Sequence, residues 1–177
     1  MLDKIEAFYS RLTKMLGTFL FIIMLLMTAN VFYDVVMRYI FSQGSIAMQE
    51  MEWHLFSILI LLGMSYSLME DAHVRVDIIY DRWSIRKKAM VNMIGAVIFI
   101  LPISLLIATN SVEFVMEAFT SNEISGDPGG LTNRWIVKAL IPGSFWVLIF
   151  FTFGFFVQHL NIYRKAKPKD KQLGEKS

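Results

Sequence analysis

Four stretches of this chain contain no Asp, Glu, Lys or Arg: Met15–Tyr33, Trp53–Met69, Ala89–Val112 and Ala139–Tyr163. They run for 19, 17, 24 and 25 residues, so 85 of the 177 residues lie in them. A helix rises about 1.5 Å per residue and needs about 17–25 mainly apolar residues to cross roughly 30 Å of hydrocarbon. All four stretches meet that length. Backbone amides in lipid find no water, so each stretch must be a helix that bonds its own amides. Composition agrees, with 55% hydrophobic and 18% charged residues, where a soluble domain carries about 25% charge. A soluble fold and a nucleic-acid-binding role are excluded. The expected fold class is an all-α integral membrane protein with four transmembrane helices. The absence of Cys excludes a disulfide framework, a Cys-ligated zinc or iron–sulfur site and thiol redox chemistry.

The spacing predicts one membrane domain over residues 1–163, with spans near 15–37, 53–69, 89–112 and 139–163. A basic tail without expected order follows at 164–177. The first apolar run is longer than the roughly 7–15 residues of a signal-peptide core, and no small-x-small site follows it, so a retained helix is expected. Lys and Arg set the orientation. Four spans put 14 of the 17 on the side of the two termini and the middle connection, and 3 on the other. Both termini are therefore expected in the cytoplasm.

Leu2, Ile5, Tyr9, Leu12 and Leu16 recur at helical spacing among charged residues. That pattern predicts an N-terminal amphipathic helix lying in the interface before the chain turns into the membrane. Phe114, Val115, Ala118 and Phe119 extend the third helix outward. Gly126-Asp127-Pro128-Gly129-Gly130 predicts a turn. Thr132 or Asn133 is expected to cap the helix that begins at Arg134 or Trp135. Pro142-Gly143 predicts a break about two turns later, and Pro102 a kink in the third helix.

Coupled transporters commonly keep ionisable residues inside the bilayer, and the centres of these four runs hold none. Thr28, Asn30, Asn92, Ser104 and Thr152 are expected to hydrogen-bond between helices. A membrane haem needs paired axial ligands, whereas His54, His73 and His159 all fall at or beyond helix ends. His73, Asp77 and Asp81 lie at i, i+4 and i+8. Arg75 and Arg82 are interleaved with them, which points to a paired charge cluster rather than a metal face. Asp34 and Arg38 stand at i and i+4 in the favourable acid-first order. Arg38 can also reach Glu50 or Glu52 across a short connection. The two readings are a surface ion pair and a clamp between the tops of the first two helices, with Tyr39 and Trp53 as flanking anchors.

Three stretches give the chain a family resemblance. The first is Asn30-Val31 leading to Met37-Arg38-Tyr39-Ile40-Phe41, followed by acids at Glu50 and Glu52. The second is Glu70-Asp71-Ala72-His73-Val74-Arg75-Val76-Asp77. The third is Asp127-Pro128-Gly129-Gly130-Leu131-Thr132-Asn133-Arg134-Trp135, then Ala139-Leu140-Ile141-Pro142. In order, spacing and helix count the chain resembles the small membrane subunit (DctQ-like, Q subunit) of tripartite ATP-independent periplasmic (TRAP) transporters, from about residue 15 to 160. Acids often adjacent in that family are split here by Met51, which leaves open whether Glu50 or Glu52 meets Arg38.

The resemblance implies a non-enzymatic scaffold subunit in the bacterial inner membrane. It implies a large M-type permease subunit working as a sodium-driven elevator, and a periplasmic binding protein that captures an organic anion, a carboxylate or sulfonate. It implies sodium symport and organic acid uptake by the complex. Sodium coupling belongs to the partner, with no cofactor in this chain beyond bound phospholipid. No catalytic, metal or substrate-binding residue is expected. The candidate structural or partner-contact residues are Asp34, Arg38, Glu50, Glu52, His73, Arg75, Asp77, Asp127, Pro128, Gly129, Gly130, Arg134 and Trp135. The alternatives are a haem-binding membrane anchor of a redox enzyme and a small self-contained exporter.

Overall fold

A computed structural model describes residues 2–71 and 83–166. These residues form four long helices: α1 (Leu2–Tyr39), α2 (Ile46–Met69), α3 (Ile85–Thr120) and α4 (Trp135–Lys165). Each is long and apolar enough to cross a membrane. The α1–α2 and α3–α4 connections lie together at one end, here called the loop end. The N-terminus meets the last turns of α4 at the other, the terminus end, through Asp3 to Asn161 and Lys165.

Helix α4 is the hub. It packs against α1, α2 and both halves of α3, whereas α1 packs on α2 and α3 packs chiefly on α4. The burial pattern follows. In the most apolar window of α4, 44% of residues are buried, against 11% in each of the other three helices. The central cluster comprises Leu68, Met69, Ala96, Leu148, Phe151 and Phe155, with Tyr9, Leu12 and Leu16 of α1 packed against it. In lipid, contacts of this kind hold helices together by close packing rather than by exclusion of water.

Small residues let α3 approach α4. Ala89, Ala96, Ser104, Ala108 and Ala118 are each at most 1% exposed. A regular helix turns about 100° per residue, so the eight-residue step from Ala96 to Ser104 would carry the small face about 80° off line. The π turn at Ala96–Ile100 absorbs one residue and restores it. There the Leu101 amide donates to the Ala96 carbonyl, five residues back. The same wide turn lies directly before Pro102, whose ring conflicts with a regular helix. The distortion expected at Pro102 is thus a π turn that keeps the α3–α4 seam in register.

Four local expectations are corrected. Residues 2–16 do not form a separate surface helix; they run without a turn into α1. Tyr9, Leu12 and Leu16 of their apolar stripe face the helix core. Gly17, the natural place for a turn, stays helical, and the Tyr66 ring occupies the space a Cβ would fill, 2.7 Å away. Likewise α4 continues through Pro142-Gly143. Neither Thr132 nor Asn133 caps it: Arg134 holds the cap position without a side-chain bond, and the Asn133 amide turns to the Thr132 hydroxyl. Of the segment expected as a free tail, Arg164 and Lys165 complete α4, and Lys165 pairs with Asp3 at 2.7 Å. The hydrogen bond from Lys165, with that from Asn161, holds the Asp3 carboxyl below its usual range, and Asp3 in turn raises Lys165.

Candidate functional site

The loop end gathers most of the sequence-predicted residues. Helix α3 stops in a Schellman motif. Asn122 adopts a left-handed φ of 47°, the Glu123 amide donates to the Ala118 carbonyl and the Asn122 amide to that of Phe119. The chain then forms a closed loop in which the Ser125 amide donates to the Leu131 carbonyl at 3.1 Å. Its tip is a type II turn. Pro128 sits at the second position, Gly129 at the third with φ 86°, and the Gly130 amide donates to the Asp127 carbonyl at 3.0 Å.

Glu50 organises this loop from α2. One carboxylate oxygen accepts the Ser125 hydroxyl and the other the Leu131 amide. These two bonds, in that order, hold the Glu50 carboxyl below its ordinary value of 4.5, and the charges of Arg134 and His54 add to the effect. Gly130 is required by the same contact, since a Cβ there would lie 2.5 Å from the Ser125 side chain and 2.8 Å from the Glu50 carboxylate. Across the loop, Glu123 accepts a bond from Lys138 of α4 and lies 3.8 Å from the Arg134 guanidinium. Lys138 also stands 4.0 Å from the centre of the Phe114 ring. Helices α2, α3 and α4 are thereby tied into one platform.

Of the two readings for Arg38, the i, i+4 ion pair is the one that forms. Arg38 pairs with Asp34 one turn back, at 2.6 Å, with Asp34 buried and Arg38 partly exposed. Neither Glu50 nor Glu52 joins that pair among the described residues. The link between α1 and α2 is instead Asn30, whose amide donates to the Met48 carbonyl at 2.9 Å. Trp135 packs edge-on against Phe119 at 5.4 Å, joining α3 to α4. His73, Arg75, Asp77 and Asp81 lie outside the described residues.

Sequence reasoning missed Glu123 and Lys138, although Ser121-Asn122 after an apolar helix is a legible stop signal. It also missed the terminus-end contact of Tyr9 with Gly154 of α4. Of the interhelical bonds expected, Thr28 and Thr152 bond their own helix. Asn92 reaches His159 of α4 at 2.7 Å. The other ring nitrogen of His159 lies 3.0 Å from the Phe155 carbonyl. A carbonyl can only accept, so Nδ1 carries the proton and Nε2 accepts from Asn92. His54 sits at the loop end and His159 near the terminus end, so they do not form a facing ligand pair. Among the described residues no group of three or more His, Cys, Asp or Glu is placed to hold a metal ion.

A cleft of about 490 Å³ opens beside the platform between the start of α2 and the start of α4. Glu50, Trp53, His54, Ser57, Asp127 and Arg134 line it. The arrangement offers recognition groups of both signs and a fixed outer surface, chemistry suited to docking.

The family described as tripartite ATP-independent periplasmic transporters, DctQ component, matches residues 27–161. A Haemophilus influenzae protein assigned as a TRAP transporter small permease protein is 30% identical over 110 residues. The match covers 62% of this chain and 68% of that protein.

Proposed function

Because this chain belongs to the DctQ component family of the tripartite ATP-independent periplasmic transporters, we propose that it is the stationary scaffold subunit of a sodium-coupled organic-anion importer. As a family member with four spanning helices it is a multi-pass protein of the bacterial inner membrane. Under this reading a large M-type elevator permease moves the substrate, and a periplasmic binding protein delivers it. This chain catalyses no reaction and holds no sodium. Both termini face the cytoplasm, and the loop end faces the periplasm.

The observation that supports the scaffold reading most is the uneven burial. Only 11% of the apolar window is buried in each of α1, α2 and α3, against 44% in α4. Exposed Phe19, Phe21, Leu25 and Phe32 on α1, and Val97, Phe99, Ile103 and Leu106 on α3, leave large faces for a second membrane protein and lipid. The rigid loop-end platform would serve as a ledge on which the partners meet.

Co-purification tests this. A tagged chain, expressed with the proposed large M-type permease of the same organism, should retain that permease through detergent extraction. Replacing Phe99 and Leu106 on α3, or Phe21 and Leu25 on α1, with Ala should identify the covered face by loss of the permease. Full retention by both variants, or no retention by the unaltered chain, would overturn the scaffold reading.

A further inference from the structure

Helix α3 is longer than a membrane is thick. Its 36 residues span about 54 Å at 1.5 Å per residue, against roughly 30 Å of hydrocarbon. The Lys138 ammonium, just before the charge-free run of α4, stands 4.0 Å from the centre of the Phe114 ring. The loop-end edge of the apolar layer therefore lies near Phe114 on α3. The turns from there to Thr120 stand clear of it.

One stripe of α3 crosses that edge. Ile103, Leu106, Asn110, Glu113 and Glu117 follow at steps of three and four residues, the spacing of a helix-packing seam, and all five are exposed. They lie on the side away from Ser104, Ala108 and Ala118, which are buried toward α4. The stripe is apolar within the membrane and acidic outside it. Between the two parts, Asn110 donates its amide N–H to the Leu106 carbonyl at 2.8 Å. Its side-chain oxygen has no donor among the described residues, a costly group to leave against lipid.

Charge decides what covers this stripe. The two connections at the loop end carry seven acids and three bases. All three bases are engaged, Arg38 with Asp34, and Arg134 and Lys138 with Glu123. The Glu113 and Glu117 carboxylates make no ion pair among the described residues, and as like charges at i, i+4 they repel each other. A second copy of this chain would offer the same negative face, and an anionic headgroup would be repelled. A soluble protein would not reach the apolar half of the stripe. The complement is a membrane protein with Arg or Lys just outside the bilayer. Helix α1 differs. Its exposed Phe21, Leu25 and Phe32 lead to exposed Tyr33 and Tyr39, and Asp34, its one acid at this end, is buried against Arg38. That face suits lipid tails and headgroups.

We propose that the large permease packs on α3 rather than α1, and that Glu113 and Glu117 receive basic side chains which that permease carries at the membrane surface. This rests on the scaffold reading and adds to it the covered face and the chemistry that recognises it.

The test titrates the labelled full chain with the proposed large permease of the same organism, both purified in detergent. The double variant Glu113→Gln, Glu117→Gln breaks no ion pair within the chain, so helical circular dichroism should be unchanged while binding weakens about tenfold. The Glu113→Asp, Glu117→Asp pair keeps the charges and should bind more tightly than the Gln pair. Added salt should weaken the native chain more than the Gln pair. In membranes, photoreactive benzoylphenylalanine at Leu106 should cross-link the permease, and at Phe21 it should cross-link lipid. No binding by the native chain would overturn the scaffold reading and this inference with it. Native binding that the Gln pair matches, or a permease adduct at Phe21 and none at Leu106, would overturn this inference alone and leave the scaffold reading standing.

Discussion

Gly154→Ala is a small change with a large expected consequence. A Cβ at Gly154 would lie 2.3, 2.5 and 2.8 Å from Cδ1, Cγ and Cε1 of Tyr9. Carbon atoms prefer about 3.5–4.0 Å, so the ring must retreat by more than about 1 Å. Those atoms include the root of the ring, so a ring flip about χ2 does not relieve the clash; the whole ring must swing out about χ1, or α1 must move off α4. The ring would also leave Phe150 and Phe151, whose centroids lie 5.0 and 6.3 Å away. Overpacking costs about 1–3 kcal/mol, and a lost aromatic contact about 0.5–1.5 kcal/mol. Replacing a helical Gly by Ala returns about 1 kcal/mol. The net expectation is a loss of about 1–3 kcal/mol. In a Tyr9→Ala background the clash is gone and only the helix-propensity gain remains. There Gly154→Ala should stabilise by about 0.5–1 kcal/mol. The sign of one substitution therefore reverses with the residue at position 9. Unfolding of the four variants in mixed micelles, followed by helical circular dichroism, reads the cycle. An equal effect of Gly154→Ala in both backgrounds would refute the α1–α4 contact.

Glu50→Gln should loosen residues 125–131, raising their amide hydrogen exchange while the four helices keep their protection. The same loop should open in acid. The folded carboxyl is held below its ordinary value of 4.5, so its stabilisation is fully present above that value and is lost as pH falls through the lowered one. Exchange in 125–131 that is flat from pH 7 down to pH 3, after correction for intrinsic rates, would contradict this. Gly130→Ala should mimic Glu50→Gln, because its Cβ would displace the Glu50 carboxylate; wild-type exchange would count against the contact. Arg38→Ala should cost about 1–2 kcal/mol, between the limits for exposed and buried pairs, since it strands the buried Asp34. If Asp34→Asn does not recover most of that loss in the same unfolding assay, the pairing is wrong.

The fold was legible where the physics is local. Charge-free runs of membrane length fixed the four helices, because lipid leaves the backbone no alternative. The tip of the loop was legible too, since Pro128 sets φ and Gly129 admits the positive φ within four consecutive residues. Arg38 with Asp34 was readable as an i, i+4 pair, though the competing clamp was equally reachable on spacing. The unreadable parts join distant segments. Glu50 meets a loop 75–81 residues away, and Tyr9 meets Gly154. Each depends on which faces the helices present, and hydrophobic periodicity is weak when every face of a helix is apolar. The separate N-terminal helix failed for a related reason. An apolar stripe beside charged residues looks the same whether it meets lipid or another helix.

The central claim is that this chain supports transport without carrying it. Its most direct test is sodium-driven uptake of a radiolabelled organic anion into liposomes. No uptake is expected with this chain alone, and uptake is expected when the proposed large permease and periplasmic binding protein from the same organism are added. A large loss is expected when this chain is withheld from that mixture. Ion-coupled flux through this chain alone, or full uptake in its absence, would contradict the account.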